Sequence, residues 1–170
     1  MTKVFLSGSR RLSRLNASVE RRLENMIAQG FQIILGDANG IDKAMQNYFA
    51  KRKYQSVTIY CSGRLCRNNT GQWDVRHVDV PPGLKGREFY SHKDRRMATE
   101  ADYGLIVWDG KSAGSLANAR ELVRNGKSAV IYRSQWRDFV PVKNQADLSR
   151  VEADAAASQS ADTRQGQFAV

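Results

Sequence analysis

The sequence predicts an α/β protein: a doubly wound parallel sheet of about five strands, in the order 3-2-1-4-5, with helices on both faces. Three observations carry this expectation. Short apolar runs alternate with amphipathic stretches along most of the chain. The apolar runs are nearly continuous, as strands buried on both faces are, where a half-exposed strand would alternate in polarity. Turns rich in glycine and hydroxyl residues follow those runs, where sheets of this kind bind ligands.

Each element has its own signal. "KVFLSG" (3–8) is a short apolar run closed by glycine. Asn16 stands where a helix cap would, ahead of a helix whose Val19, Leu23, Met26 and Ile27 share one face and which ends at Gly30. "FQIILG" (31–36) is the second strand, and Ile41, Ala44, Met45, Tyr48 and Phe49 form the buried stripe of the next helix. "SVTIYCSG" (56–63) is the third strand. Residues 64–88 lack clear periodicity, although "VRHVDV" has the form of a short strand, and this length marks a functional loop or flap. A helix over "GREFYSHKDRRMATEA", a strand over "YGLIVWD", a helix over "SLANARELVRNG" and a strand over "KSAVIY" complete the series. Right-handed crossovers between such units enforce a parallel, Rossmann-like sheet, with its switch point between 3–8 and 103–108.

The domain is expected over 1–134, followed by a mobile or weakly helical tail over 135–170, rich in Ala, Ser and Gln. With 41% hydrophobic residues in 170, one compact domain is the fitting size. No apolar run approaches the ~18 residues of a membrane span and the N-terminus lacks a secretory pattern, so a cytoplasmic location is expected. Cys61 and Cys66, as C-x4-C with two distant histidines, match zinc spacings poorly; reduced thiols and no metal are expected. Net charge is +10; residues 141–170 hold three Lys/Arg against four Asp/Glu, so the first 140 carry +11. A basic body points to an anionic ligand or a polyanionic partner.

The turns after the strands share a chemistry. Gly8, Ser9 and Arg10 follow the first strand, Gly36, Asp37, Gly40 and Asp42 the second, and Asp109, Gly110, Lys111, Ser112, Gly114 and Ser115 the fourth. Glycine permits close backbone approach, helix-starting amides favour anions, and Lys or Arg completes the charge: a phosphate cradle. Asp37, Asp42 and Asp109 suit ribose hydroxyls or a base amine, and a nucleotide satisfies both demands. The charges of "KDRRM" read either as a solvated helix face or as bringing Lys93, Arg95 or Arg96 into the same cleft, with Arg95 placed among the ligand-binding residues. Trp73, Trp108, Tyr103 and Phe89 read as packing residues more than as stacking platforms.

"VFLSGSRR", "IILGDANGIDKAMQNYF" and "KDRRMATEADYGLIVWDGKSAGSLANARELVRNGKSAVIY" together resemble the SLOG superfamily, which unites Lonely Guy phosphoribohydrolases with DNA-processing protein A, and most nearly its YspA-like branch. The resemblance spans roughly 3–133 and implies a nucleotide-binding fold, a homodimer and no cofactor. Gly114 and Ser115 are similar to the Gly-Thr of the Lonely Guy motif Pro-Gly-Gly-x-Gly-Thr-x-x-Glu, whose catalytic glutamate falls on Asn118 here, with Glu121 one turn on. Gly40, Ile41, Asp42 and Gly114, Ser115, Leu116, Ala119, Arg120 are similar to motifs of DNA-processing protein A. Three functions follow as expectations: a nucleotide sensor or carrier; an N-glycosidase releasing a base from a nucleoside monophosphate, its carboxylates drawn from Glu121, Asp37 and Asp109; and single-stranded nucleic-acid binding.

Overall fold

The structure, a computed structural model, describes residues 1–167. Its elements run β1 (Lys3–Gly8), α1 (Ala17–Ala28), β2 (Gln32–Gly36), α2 (Ile41–Lys51), β3 (Val57–Ser62), β4 (Asp74–Val78), α3 (Gly86–Glu100), β5 (Tyr103–Trp108), α4 (Ala113–Arg124), β6 (Ser128–Arg133), β7 (Asp138–Val142) and α5 (Gln145–Gln167). The sheet has seven strands in the order β4-β3-β2-β1-β5-β6-β7. All neighbours are parallel except β6 and β7, which are antiparallel. The expected sheet of five strands in the order 3-2-1-4-5 is thus corrected to a mixed, seven-stranded one, with β4 and β7 at the edges. Their sequences explain the difference. Four of the five residues of β4 are exposed, and β7 carries Pro141, whose missing N–H an edge strand tolerates.

Alternate side chains of the central strands face two separate cores, as the pleat requires. Val4, Leu6, Ile33, Leu35 and Ile59 pack with Val19, Leu23 and Met26 of α1 and Met45 and Phe49 of α2. Phe5, Ile34, Tyr60 and Ile106 pack with Met97 of α3, Ala119 and Leu122 of α4, and α5. The start of α1 is set by Asn16, whose side chain accepts a hydrogen bond from the Ser18 N–H at 2.8 Å.

The boundary expected at 134 does not divide the chain. β7 pairs with β6, and Leu148, Val151 and Ala155, spaced i, i+3, i+7 on α5, are buried against the second core. Arg133, only 9% exposed, ties this addition down through Asp138 at 2.6 Å and Asp154 of α5 at 2.8 Å. Where a mobile or weakly helical tail is expected, α5 is docked over its first three turns; positions 168–170 lie outside the described residues. Among the described residues, no helix is long and apolar enough to cross a membrane.

Candidate functional site

The ends of β1 and β2, the loop after β3, α3 and the first turns of α4 enclose a cleft of about 120 Å³. Ser7, Gly8 and Arg10 come from β1 and its turn, Ala38 and Asp42 from the entry to α2, and Arg67 from the long loop. Arg87, Tyr90, Lys93 and Asp94 come from α3, and Gly114, Ser115 and Asn118 from α4. An outer groove of about 400 Å³ between α3 and α4 shares Arg87, Ser91, Asp94, Ala117 and Asn118 with the cleft and adds Arg95 and Glu121.

The floor of the cleft is ionic. Lys93 is 3% exposed and donates to Asp94 Oδ1 at 2.6 Å. Asp42, also buried, accepts from the Ala38 N–H at 3.3 Å. A Cβ at Gly36 would stand 2.5 Å from both Asp42 Oδ2 and Lys93 Nζ, so glycine there makes room for this pair. Burial pushes the Asp42 carboxyl up to about 7, against the pull of Lys93 and with the push of Asp94 and Asp37. Burial alone would lower Lys93, but Asp94 and Asp42 outweigh it and keep the ammonium charged.

Asp37 has a different fate from the one expected for a ligand contact. The Arg67 guanidinium binds it in a fork, Nη2 to Oδ1 at 2.7 Å and Nε to Oδ2 at 3.2 Å, and the Arg67 N–H adds a third bond at 2.9 Å. Burial raises its pKa, yet these bonds prevail and hold the carboxyl below the ordinary range. The other face of Arg67 lies 3.8 Å from the Tyr90 ring centroid, so Asp37 and Tyr90 together fix one wall of the cleft. Asn68 Nδ2 also donates to the Asp37 carbonyl at 2.8 Å, and the Thr70 N–H to Gln46 Oε1 at 3.0 Å.

The turn after β5 is largely self-contained. Asp109 Oδ1 accepts from the Lys111 and Ser112 N–H groups at 3.0 and 2.7 Å, and its own N–H donates to Ser9 Oγ at 3.1 Å. Burial raises Asp109, but the amide bonds win and its carboxyl stays low. Ser9, Ser115 and Ser112, in that order, form a hydroxyl chain, 3.1 and 3.3 Å between successive oxygens. Ser112, the residue before α4, makes no capping bond with its side chain.

Of the residues expected at the site, Gly8, Arg10, Asp42, Gly114 and Ser115 do line the cleft. Gly8 serves packing there: a Cβ would meet Ile41 Cγ2 at 2.5 Å and the Val107 carbonyl at 2.6 Å. Ser9 lies behind Ser115, Gly36 against Asp42 and Lys93, and Gly40, at φ 81°, in a turn against the Arg10 backbone. Asp109, Gly110, Lys111 and Ser112 stand in the neighbouring turn and do not line the cleft, and Asp37 is held behind Arg67. Arg95 and Glu121 face the outer groove, where Glu121 accepts from Arg124 at 2.9 Å. Sequence reading passed over Arg67 and Arg87, because one lies in an aperiodic loop and the other among charges typical of an exposed helix. Asn118 donates to Ser7 Oγ at 2.8 Å, bridging α4 to β1 inside the cleft.

The cysteines also depart from expectation. Cys61 at the end of β3 and Cys66 in the loop form a disulfide, with Cα atoms 5.3 Å apart, where reduced thiols are expected. Their sulfurs and an Asp37 carboxylate oxygen lie within 4.8 Å of one another. In this state the sulfurs are not thiolates and Asp37 is engaged by Arg67, so the trio does not present metal ligands.

The fold and cleft define a class: an α/β protein with a central sheet flanked by helices and a mixed-charge cleft at its strand ends. No family model, curated protein or solved structure matches this chain.

Proposed function

We propose that the protein binds a nucleotide or nucleotide-derived ligand, as a sensor or carrier, through a SLOG-type use of the strand ends. One observation carries this reading: Arg10, Arg87 and the first turn of α4 at Gly114 and Ser115 border the same small cleft as Asp42 and Asn118. The cations and first-turn amides suit phosphate oxygens, and the carboxyl and amide suit sugar hydroxyls or base edges. The cleft is smaller than the ~300–1,000 Å³ of ordinary small-molecule sites, so the ligand extends into the outer groove toward Arg95. The resemblance to the SLOG superfamily supports the same reading, and with it a homodimer.

A second reading, base release from a nucleoside monophosphate, is favoured by a carboxyl other than those expected. Asp42, titrating about 7 and lining the cleft, is suited to donate a proton to a departing base, whereas Asp37, Asp109 and Glu121 are already engaged. One experiment separates the two. Purified protein is incubated with a panel of nucleoside monophosphates, dinucleotides and cyclic nucleotides, and retained ligand and free base are followed by mass spectrometry. Retained intact ligand supports the sensor reading; free base accumulating with time, and lost in Asp42→Asn, supports the second. No retention and no release across the panel would end both.

A further inference from the structure

We propose that Cys61 and Cys66 form a thiol–disulfide exchange site whose reaction partner is a dithiol, and that its oxidation state sets whether Arg67 holds the wall of the cleft. Three observations meet here. Cys61 is fully buried on β3, whereas Cys66 is half-buried in the loop and so is the sulfur an external thiol can reach. The bond closes a short segment, five positions apart, and its far end is the residue immediately before Arg67. Arg67 in turn commits its backbone N–H and its whole guanidinium fork to Asp37, whose carboxylate lies within 4.8 Å of both sulfurs.

The exchange balances as a two-electron transfer. A thiolate of the partner attacks Cys66 Sγ; the S–S bond breaks and its electron pair leaves on Cys61, which takes up a proton. The partner's second thiol then displaces Cys66 from the mixed disulfide, so that the partner ends as a disulfide and the protein as two thiols. An oxidised dithiol carrier runs the same steps backwards. Two unbonded thiols cannot remain at bonding distance, and Cys61 is fixed within β3, so Cys66 moves outward and draws on Arg67. Asn68 and Thr70 keep their bonds to Asp37 and Gln46, which confines the change to the 64–67 segment.

The effect on ligand rests on the nucleotide reading above; the thiol chemistry does not. The whole protein is equilibrated with dithiothreitol or left oxidised, alkylated natively and again after unfolding, and weighed; hydrogen exchange over 64–72 and calorimetric titration with adenosine 5'-monophosphate are measured in both states. Reduction is expected to free both cysteines, Cys66 labelled in the folded protein and the buried Cys61 only after unfolding, to speed exchange of the Arg67 amide about tenfold and to weaken nucleotide binding about tenfold. Cys66→Ser should match the reduced protein and ignore dithiothreitol. A Cys66 that stays unlabelled under excess dithiothreitol, or that is labelled with no change in exchange over 64–72, overturns the proposal. Equal nucleotide affinity in both states, with exchange responding, overturns the coupling to the cleft. No binding in either state of this nucleotide or of any member of the panel above, with exchange responding, refutes the nucleotide reading and supports the exchange site.

Discussion

Two regions at the same edge of the sheet are built from the same residue types and behave in opposite ways. In the turn after β5, Asp109, Ser112, Ser115 and Ser9 bond mainly to one another and to nearby amides. At the floor of the cleft, Asp42, Asp94 and Asp37 surround one buried ammonium, Lys93, and Asp42 is left short of strong partners. The first arrangement stabilises a turn. The second holds unspent charge beside a cavity, and that is where ligand chemistry belongs.

Removing the ammonium breaks the comparison most severely. Lys93→Met should cost about 3–5 kcal/mol in urea unfolding, because it leaves buried carboxylates without their counter-ion. A loss near zero would mean that water or protonation already neutralises them.

The pH dependence is the next largest effect. In the folded protein Asp42 keeps its proton up to about 7, but in the unfolded chain it loses it near 3.8. The folded state therefore binds more protons across this window, and Asp42 makes stability fall as pH rises through it. Asp42→Asn removes that term, so its melting temperature should gain on the wild type as pH rises from 3.8 to about 7. Parallel melting curves for the two proteins would place the Asp42 carboxyl at an ordinary value.

Smaller effects are expected in the turn. Asp109→Ala removes the acceptor of two amide bonds and should cost about 1–2 kcal/mol while leaving nucleotide affinity within about threefold of wild type. A tenfold loss of affinity at unchanged stability would return Asp109 to the ligand. Glu121→Ala, which loses an ion pair to the exposed Arg124, should shift stability by less than about 0.5 kcal/mol and leave any base release intact. If Glu121→Ala alone abolished turnover, the outer groove would be the reaction centre.

Much of the fold was legible because local patterns record which face of an element is buried. Asn16 and the stripe Val19, Leu23, Met26 mark α1, and unbroken runs such as "VFL" and "IIL" mark strands covered on both sides. β4 was legible only as the short-strand form of "VRHVDV" and β7 escaped, because edge strands bury little and so lose the apolar signature. α5 escaped because only Leu148, Val151 and Ala155 carry its docking, in a segment otherwise dominated by small and polar residues. The 148, 151, 155 spacing was the available signal. At the site, Gly8, Arg10, Asp42, Gly114 and Ser115 were legible as strand-end turns, but Arg67 was not: it stands in a loop without periodicity, and its partner Asp37 lies 30 positions away, beyond α2 and β3.

By itself the sequence determined the alternation of strand and helix, the buried faces of most elements and the gathering of glycine, hydroxyl and charge at the strand ends. These depend on hydrophobic burial and backbone preference, which act over a few neighbouring residues. Tertiary structure alone decided which carboxylates are already satisfied, that the two cysteines meet, and that Arg67 and Lys93 both line the cleft. Those outcomes depend on distances between groups far apart in the chain, and an ionic interaction in a dry interior changes sign or strength within a few ångströms.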